Sequence, residues 1–306
     1  MFRKVLVCAV VLVSFSLLSP LPGAYQRPQD RQGTIRAEVA LVNVVFAAMD
    51  RKNHNMTGLK AADFMVFEDR QPQQIEYFSD LSKGSDVPLT MALLIDTSGS
   101  VKDKLEYEKA TAREFFHSVV RKNKDLALII QFDSEVNLVQ DFTDDPERLS
   151  NALEGLQAGN STSLYDAVFL AVDEKLKNET GRKVLVVISD GDDNASRLRK
   201  EVAIEAAQRH DVLVFGIGVK SDFGTNFGAL KRMAEETGGN FFSPRVRFDE
   251  IQAAFRAIQE DLKGQYSLGY VSTNKRRDGS FRNIEIRSKV SGIRIRTRKG
   301  YYAPKV

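Results

Sequence analysis

The sequence predicts an α/β fold in which a doubly wound, mostly parallel sheet is inserted into a smaller β-sandwich-like domain built from both flanks of the chain. Three observations carry this expectation. From Pro88 onward, short continuous apolar runs alternate with amphipathic stretches at helical spacing, the pattern of parallel strands covered on both faces. Before Pro88 and after Gly264, apolar and polar residues alternate in short runs parted by turn residues, as in half-buried strands. Each flank alone offers too few strands to be stable, so the two are expected to pair, which requires only that the ends of the inserted segment lie close together.

The elements follow in order. Arg3 and Lys4 precede an uncharged apolar run, Val5 to Leu18, broken by Pro20, Pro22 and Gly23. This is the layout of a secretory signal over residues 1–24, and the run is shorter than the about 20 residues that cross a bilayer. The protein is therefore expected outside the cytoplasm: periplasmic, on the cell surface or secreted. Pro22 sits where cleavage prefers a small residue, so an uncleaved membrane anchor is the alternative. The single cysteine, Cys8, falls inside the apolar run, and a processed chain has no thiol for disulfides, thiolate metal sites or nucleophilic catalysis.

Residues 34–82 form the first part of the β-domain, with strands at Ile35 to Ala47, Phe64 to Asp69 and Gln74 to Phe78. Residues 88–262 form the α/β domain. Its expected strands are Met91 to Ile95, Leu126 to Phe132, Val184 to Ile188 and Val212 to Ile217. The helical stretches are Asp103 to Arg121, Pro146 to Leu156, Leu164 to Lys177, Ser196 to His210, Asn226 to Glu236 and Phe248 to Leu262. Residues 265–303 complete the β-domain with strands at Gln265 to Val271, Phe281 to Ser288 and Gly292 to Arg298.

In a doubly wound fold ligands bind at the C-terminal ends of the strands, and oxygen-bearing residues gather there. The first apolar strand runs into Asp96-Thr97-Ser98-Gly99-Ser100, so positions 96, 98 and 100 can face one point. The strand ending at Ser189 delivers a second carboxylate, Asp190, followed by Gly191. Between them the loop Gly159 to Leu164 offers the hydroxyl of Thr162 at the start of a helix. Two carboxylates and three hydroxyls make an all-oxygen shell for a hard divalent cation, Mg²⁺ first, with Mn²⁺ or Ca²⁺ as alternatives. Taken singly, these residues also suit turns and helix N-caps; it is their joint placement that points to metal. Asp192, Asp193 and Asn194 either add outer contacts or belong to a polar turn.

This pattern of Asp-x-Ser-x-Ser, loop Thr and Asp-Gly after an apolar strand resembles the metal-ion-dependent adhesion site of von Willebrand factor type A (VWA) domains. The resemblance covers roughly Pro88 to Leu262, and the segments Phe215 to Val219 and Leu230 to Asn240 share it. Ser161 departs from it, standing where many members have Gly. The flanks resemble a bacterial, acidobacterial-type group of VWA-related proteins through Thr57-Gly58-Leu59, Asp63-Phe64, Val66-Phe67-Glu68-Asp69 and Gly300-Tyr301-Tyr302-Ala303-Pro304. The resemblance implies a protein-binding, adhesion-type module whose metal takes a carboxylate from a partner protein, with no enzymatic activity. It also implies a last helix that can slide when the ligand binds; a helix that serves only as core is the alternative.

Other classes find less support. A scaffold protein whose metal merely stabilises loops is the rival reading; a metal-dependent hydrolase is a distant third. Neither a hydrolase elbow nor a dinucleotide fingerprint is present, and His54, His117 and His210 lie in a turn, mid-helix and at a helix end. The chain has 44 Lys and Arg against 41 Asp and Glu, and the excess concentrates between Lys275 and Lys299. In Ile293 to Arg298 the arginines alternate onto one strand face, expected to be a solvated edge; an anionic envelope surface is the alternative partner, and nucleic acid is not expected for an exported protein.

Overall fold

The computed structural model describes residues 41–84, 86–220 and 225–305. The signal predicted at residues 1–24 and the start of the strand expected from Ile35 lie outside them.

The central sheet has six strands in the order β10-β9-β8-β5-β6-β7. They are β5 (Leu89–Asp96), β6 (Leu126–Phe132), β7 (Val136–Thr143), β8 (Arg182–Ser189), β9 (Val212–Gly218) and β10 (Phe241–Phe242). All neighbours run parallel except β6 and β7. The period of two along β5 separates the faces. Met91, Leu93 and Ile95 join one core with Phe115, Phe116, Leu149, Leu153, Ile251, Phe255 and Ile258. Ala92 and Leu94 join the other with Leu164, Val168, Ala203, Ile204, Leu230 and Met233. Helices α1 (Leu105–Val119), α2 (Pro146–Glu154) and α6 (Phe248–Lys263) thus cover one face, and α3 (Leu164–Leu170), α4 (Lys200–Arg209) and α5 (Gly228–Thr237) the other.

The flanks pair with each other. One sheet has the order β13-β1-β11-β4 and a second β14-β12-β2-β3. Their strands are β1 (Leu41–Met49), β2 (Phe64–Glu68), β3 (Gln71–Gln73), β4 (Ile75–Asp80), β11 (Gln265–Val271), β12 (Phe281–Ser288), β13 (Arg294–Thr297) and β14 (Gly300–Tyr302). β1 lies between two C-terminal strands, with Val44 opposite Leu268 and Phe46 opposite Thr297; β2 pairs with β12. Between these sheets Phe46, Phe64, Phe78 and Tyr266 stack, with ring centroids 5.0 to 5.8 Å apart.

Several expectations need correction. β3, β7 and β10 are strands that periodicity did not reveal. The stretch expected as one helix from Leu164 to Lys177 changes to π-helical geometry at Ala171–Leu176, closed by Lys177 N–H on the Val172 carbonyl at 2.9 Å. The helix expected from Ser196 begins only at Lys200, and Ser196 instead accepts from the N–H groups of Tyr165 and Asp166 in the first turn of α3. The arginines of Ile293 to Arg298 do not form a solvated stripe. Only Arg294 is exposed; Arg296 pairs with Asp261 of α6, and Arg298 is buried against Asp211.

Candidate metal centre

Strand β5 is buried along its whole length and ends at Asp96, which is itself completely buried. Beyond it the chain turns at once: Ser98 N–H donates to Asp96 Oδ1 at 2.9 Å, and Gly99–Val101 form a single 3₁₀ turn. This turn sets the two serine hydroxyls side by side, Ser98 Oγ 3.0 Å from Ser100 Oγ. Ser100 Oγ then donates to Asp190 Oδ2 at 2.5 Å, joining the loop after β5 to the loop after β8. Four of the five predicted residues, Asp96, Ser98, Ser100 and Asp190, therefore meet at the C-terminal edge of the sheet.

The fifth, Thr162, arrives on the loop preceding α3, which is bonded to both of the others. Thr97 O accepts from Gly159 N–H at 2.6 Å, and Asn160 O accepts from Gly99 N–H at 3.1 Å. On the opposite side Thr162 N–H donates to Asn194 Oδ1 at 2.9 Å, while Thr162 O accepts from Asn194 and Ala195 N–H, both at 3.0 Å. Thr162 is buried, and among the described residues no protein group hydrogen-bonds its hydroxyl. Ser161 has a negative φ, so the side chain replacing the family's Gly is accommodated without strain. Two glycines are required by space. A Cβ on Gly159 would lie 1.9 Å from Asp133 Oδ2, and one on Gly191, at φ +86°, 2.6 Å from the Asn226 carbonyl.

Sequence reasoning missed the supports. Ser189, the last residue of β8, donates to Asp96 Oδ2 at 2.6 Å and accepts from Gly191 N–H at 3.0 Å. Its place directly before Asp190 was the available signal. Asp193 accepts from Tyr165 N–H at 3.0 Å and from Ser196 Oγ at 2.6 Å, and Ser196 Oγ in turn accepts from Tyr165 and Asp166 N–H. Of the two readings of 192–194, Asp193 fits the polar turn, accepting from Ser196 and from Tyr165 at the start of α3, while Asn194 ties down the Thr162 loop. No sequence signal pairs Asn194 with it.

Burial pushes the Asp96 carboxyl up to about 6, against hydrogen bonds from Ser189 and Ser98 and with the Asp190 charge adding to the push. A buried carboxyl beside a second one is stabilised in its charged form by a cation. Among the described residues no three His, Cys, Asp or Glu side chains cluster as metal ligands, so the donors on offer are two carboxylates and three hydroxyls. That oxygen-only set of low charge fits a hard divalent ion.

The comparisons with known proteins bear on the fold. Residues 91–192 match the family model of the von Willebrand factor type A domain. These residues resemble a VWA domain. A relative in Borreliella burgdorferi, an uncharacterized protein, is 26% identical over 60% of this chain and 59% of its own length; the chain thus spans under two thirds of that relative. Among solved structures, the VWA fold is shared with proximal thread matrix protein 1 of the mussel byssus, described with a zinc-occupied MIDAS motif. That protein has a TM-score of 0.52 at 15% identity, over 62% of this chain and 49% of that one. The PilB minor pilin of Streptococcus sanguinis has a TM-score of 0.50 at 13% identity, over 59% of this chain and 62% of that one. At these identities the likeness is one of fold.

Proposed function

We propose that this chain is an extracytoplasmic, metal-dependent protein-binding module. In this reading Asp96, Ser98, Ser100, Thr162 and Asp190 hold a divalent ion, and the ion takes a carboxylate from a partner protein. The observation that carries it is the convergence of oxygens from three separate loops, bonded to one another at the end of a parallel sheet. The ion would supply Lewis acidity toward an incoming oxygen. The chain's own groups orient the donors: Ser189 fixes Asp96, and Asn194 fixes Thr162. Hydroxyls in place of further carboxylates leave the ion electrophilic. Mg²⁺ suits this donor set, and zinc at the MIDAS of the mussel protein gives a second metal to test.

We read the site as binding and not catalysis, because each histidine is engaged elsewhere. His54 meets Asp50, His117 meets Ser150, and His210 lies 3.6 Å from Asp173. Export rests on the apolar run behind Arg3 and Lys4; among the described residues no helix is long and apolar enough to cross a membrane. The test is retention of partners from a cell-envelope extract by the full chain. Binding should require Mg²⁺ and be lost with chelator or in Asp96→Ala; retention that ignores both favours the scaffold reading.

A further inference from the structure

Glu108 lies in the first turn of α1, the helix that follows the serine loop, and it is completely buried. Among the described residues neither of its carboxylate oxygens has a hydrogen-bond partner. A buried carboxylate with both oxygens orphaned costs several kcal/mol. Buried polar atoms left in this way mark a place where water or an ion belongs.

The groups that act electrostatically on Glu108 identify which ion. Burial pushes its carboxyl well above the ordinary carboxylate range; Asp96 and Asp190 add to the push, and Lys104 opposes it. Lys104 sits one helical turn away and is buried, but its ammonium is turned to the Lys220 carbonyl and makes no ion pair with Glu108. Asp96 and Asp190 thus lie near enough to act on Glu108, and among the described residues the three do not form a cluster of direct ligands.

We propose that Glu108 is an outer carboxylate of the ion site. It accepts hydrogen bonds from the hydration shell of the bound ion and contributes a third negative charge toward it. The proposal rests on the ion-binding reading of the loops. Partners one layer out from a metal characteristically change affinity 10- to 100-fold when removed.

The test uses the full chain stripped with chelator, titrated calorimetrically with Mg²⁺ and with Mn²⁺, in wild type, Glu108→Gln, Glu108→Ala and Asp96→Ala. Melting is followed with and without metal. Glu108→Gln should bind Mg²⁺ roughly 10- to 100-fold more weakly. Its metal-free form should melt close to wild type, and the Mg²⁺-induced rise in melting temperature should shrink. Glu108→Ala should behave alike, which keeps the test valid if the glutamine variant misfolds. Wild-type Mg²⁺ affinity in both Glu108 variants, with binding lost in Asp96→Ala, overturns the role of Glu108 and leaves the loop site standing. No binding of either metal by wild type overturns both.

Discussion

Thr162 stands at the site because Asn194, thirty-two residues further on, accepts its N–H and donates back to its carbonyl. Asn194→Ala should therefore weaken Mg²⁺ binding in calorimetry while removing no ligand, by about 1 kcal/mol for the one side-chain bond lost, since the backbone N–H of residue 194 still reaches the Thr162 carbonyl. Unchanged affinity would show that the loop holds without it. The five donors were legible because each closes a recognisable strand or opens a helix. Ser189 was not, since its partner Asp96 lies 93 residues away and only folding brings the two together. A second residue-scale case is Glu68. Its carboxylate is buried with Arg282 at 3.3 Å and accepts from Tyr270, Tyr301 and Ser272 at 2.9, 2.9 and 2.6 Å. The flank motifs containing Glu68 and Tyr301 meet in this network. Glu68→Ala leaves the Arg282 guanidinium without its counter-charge and should cost about 3–5 kcal/mol in urea unfolding.

At the scale of elements, apolar periodicity located β5, β6, β8 and β9 well, because these strands are buried on both faces. It failed at β7, an antiparallel edge strand mostly open to solvent, where Asn137, Gln140 and Asp141 dilute the apolar pattern. Asp125 staples the end of α1 to the start of β5: Oδ1 accepts from Leu89 N–H at 2.8 Å, and Oδ2 from Arg121 N–H and Nε at 3.0 and 2.6 Å. Burial opposes its charge, yet the Arg121 guanidinium and these N–H groups hold the carboxyl below its ordinary 3.8. A carboxyl lowered on folding adds stability above its unfolded value and loses it as pH falls through the folded one. Asp125→Asn should therefore destabilise the protein at pH 7 and flatten the decline of stability below about pH 4. Parallel acid-unfolding curves for variant and wild type would contradict this. The last turn of α6 is clamped as well, by Asp261 to Arg296 and by Asn55 Nδ2 on the Glu260 carbonyl at 3.0 Å. A slide of one turn, about 5.4 Å, would break both contacts, which argues for α6 as fixed core.

For the whole molecule, the class of each flank and the pairing of one flank with the other were legible, but which strand sits beside which was not. Alternation says which face of a strand is buried and nothing about its neighbour, so the seat of β1 between β11 and β13 comes only from the fold. The strand of alternating arginines was misread for the same reason, since Asp211 and Asp261 of the α/β part lie opposite it. We propose 88–262 as the unit that folds alone. Residues 41–80 should not, since β1, β2 and β4 each pair with a strand from the C-terminal flank. A cooperative melt of that N-terminal fragment would refute the composite sandwich. The central claim, that three loops of the α/β domain hold a divalent ion, is tested most directly by calorimetric titration of Mg²⁺ into the chelator-stripped full chain and its Asp96→Ala variant. The account predicts saturable binding by the wild type and none by the variant, with both melting cooperatively; equal titration curves for the two would contradict it.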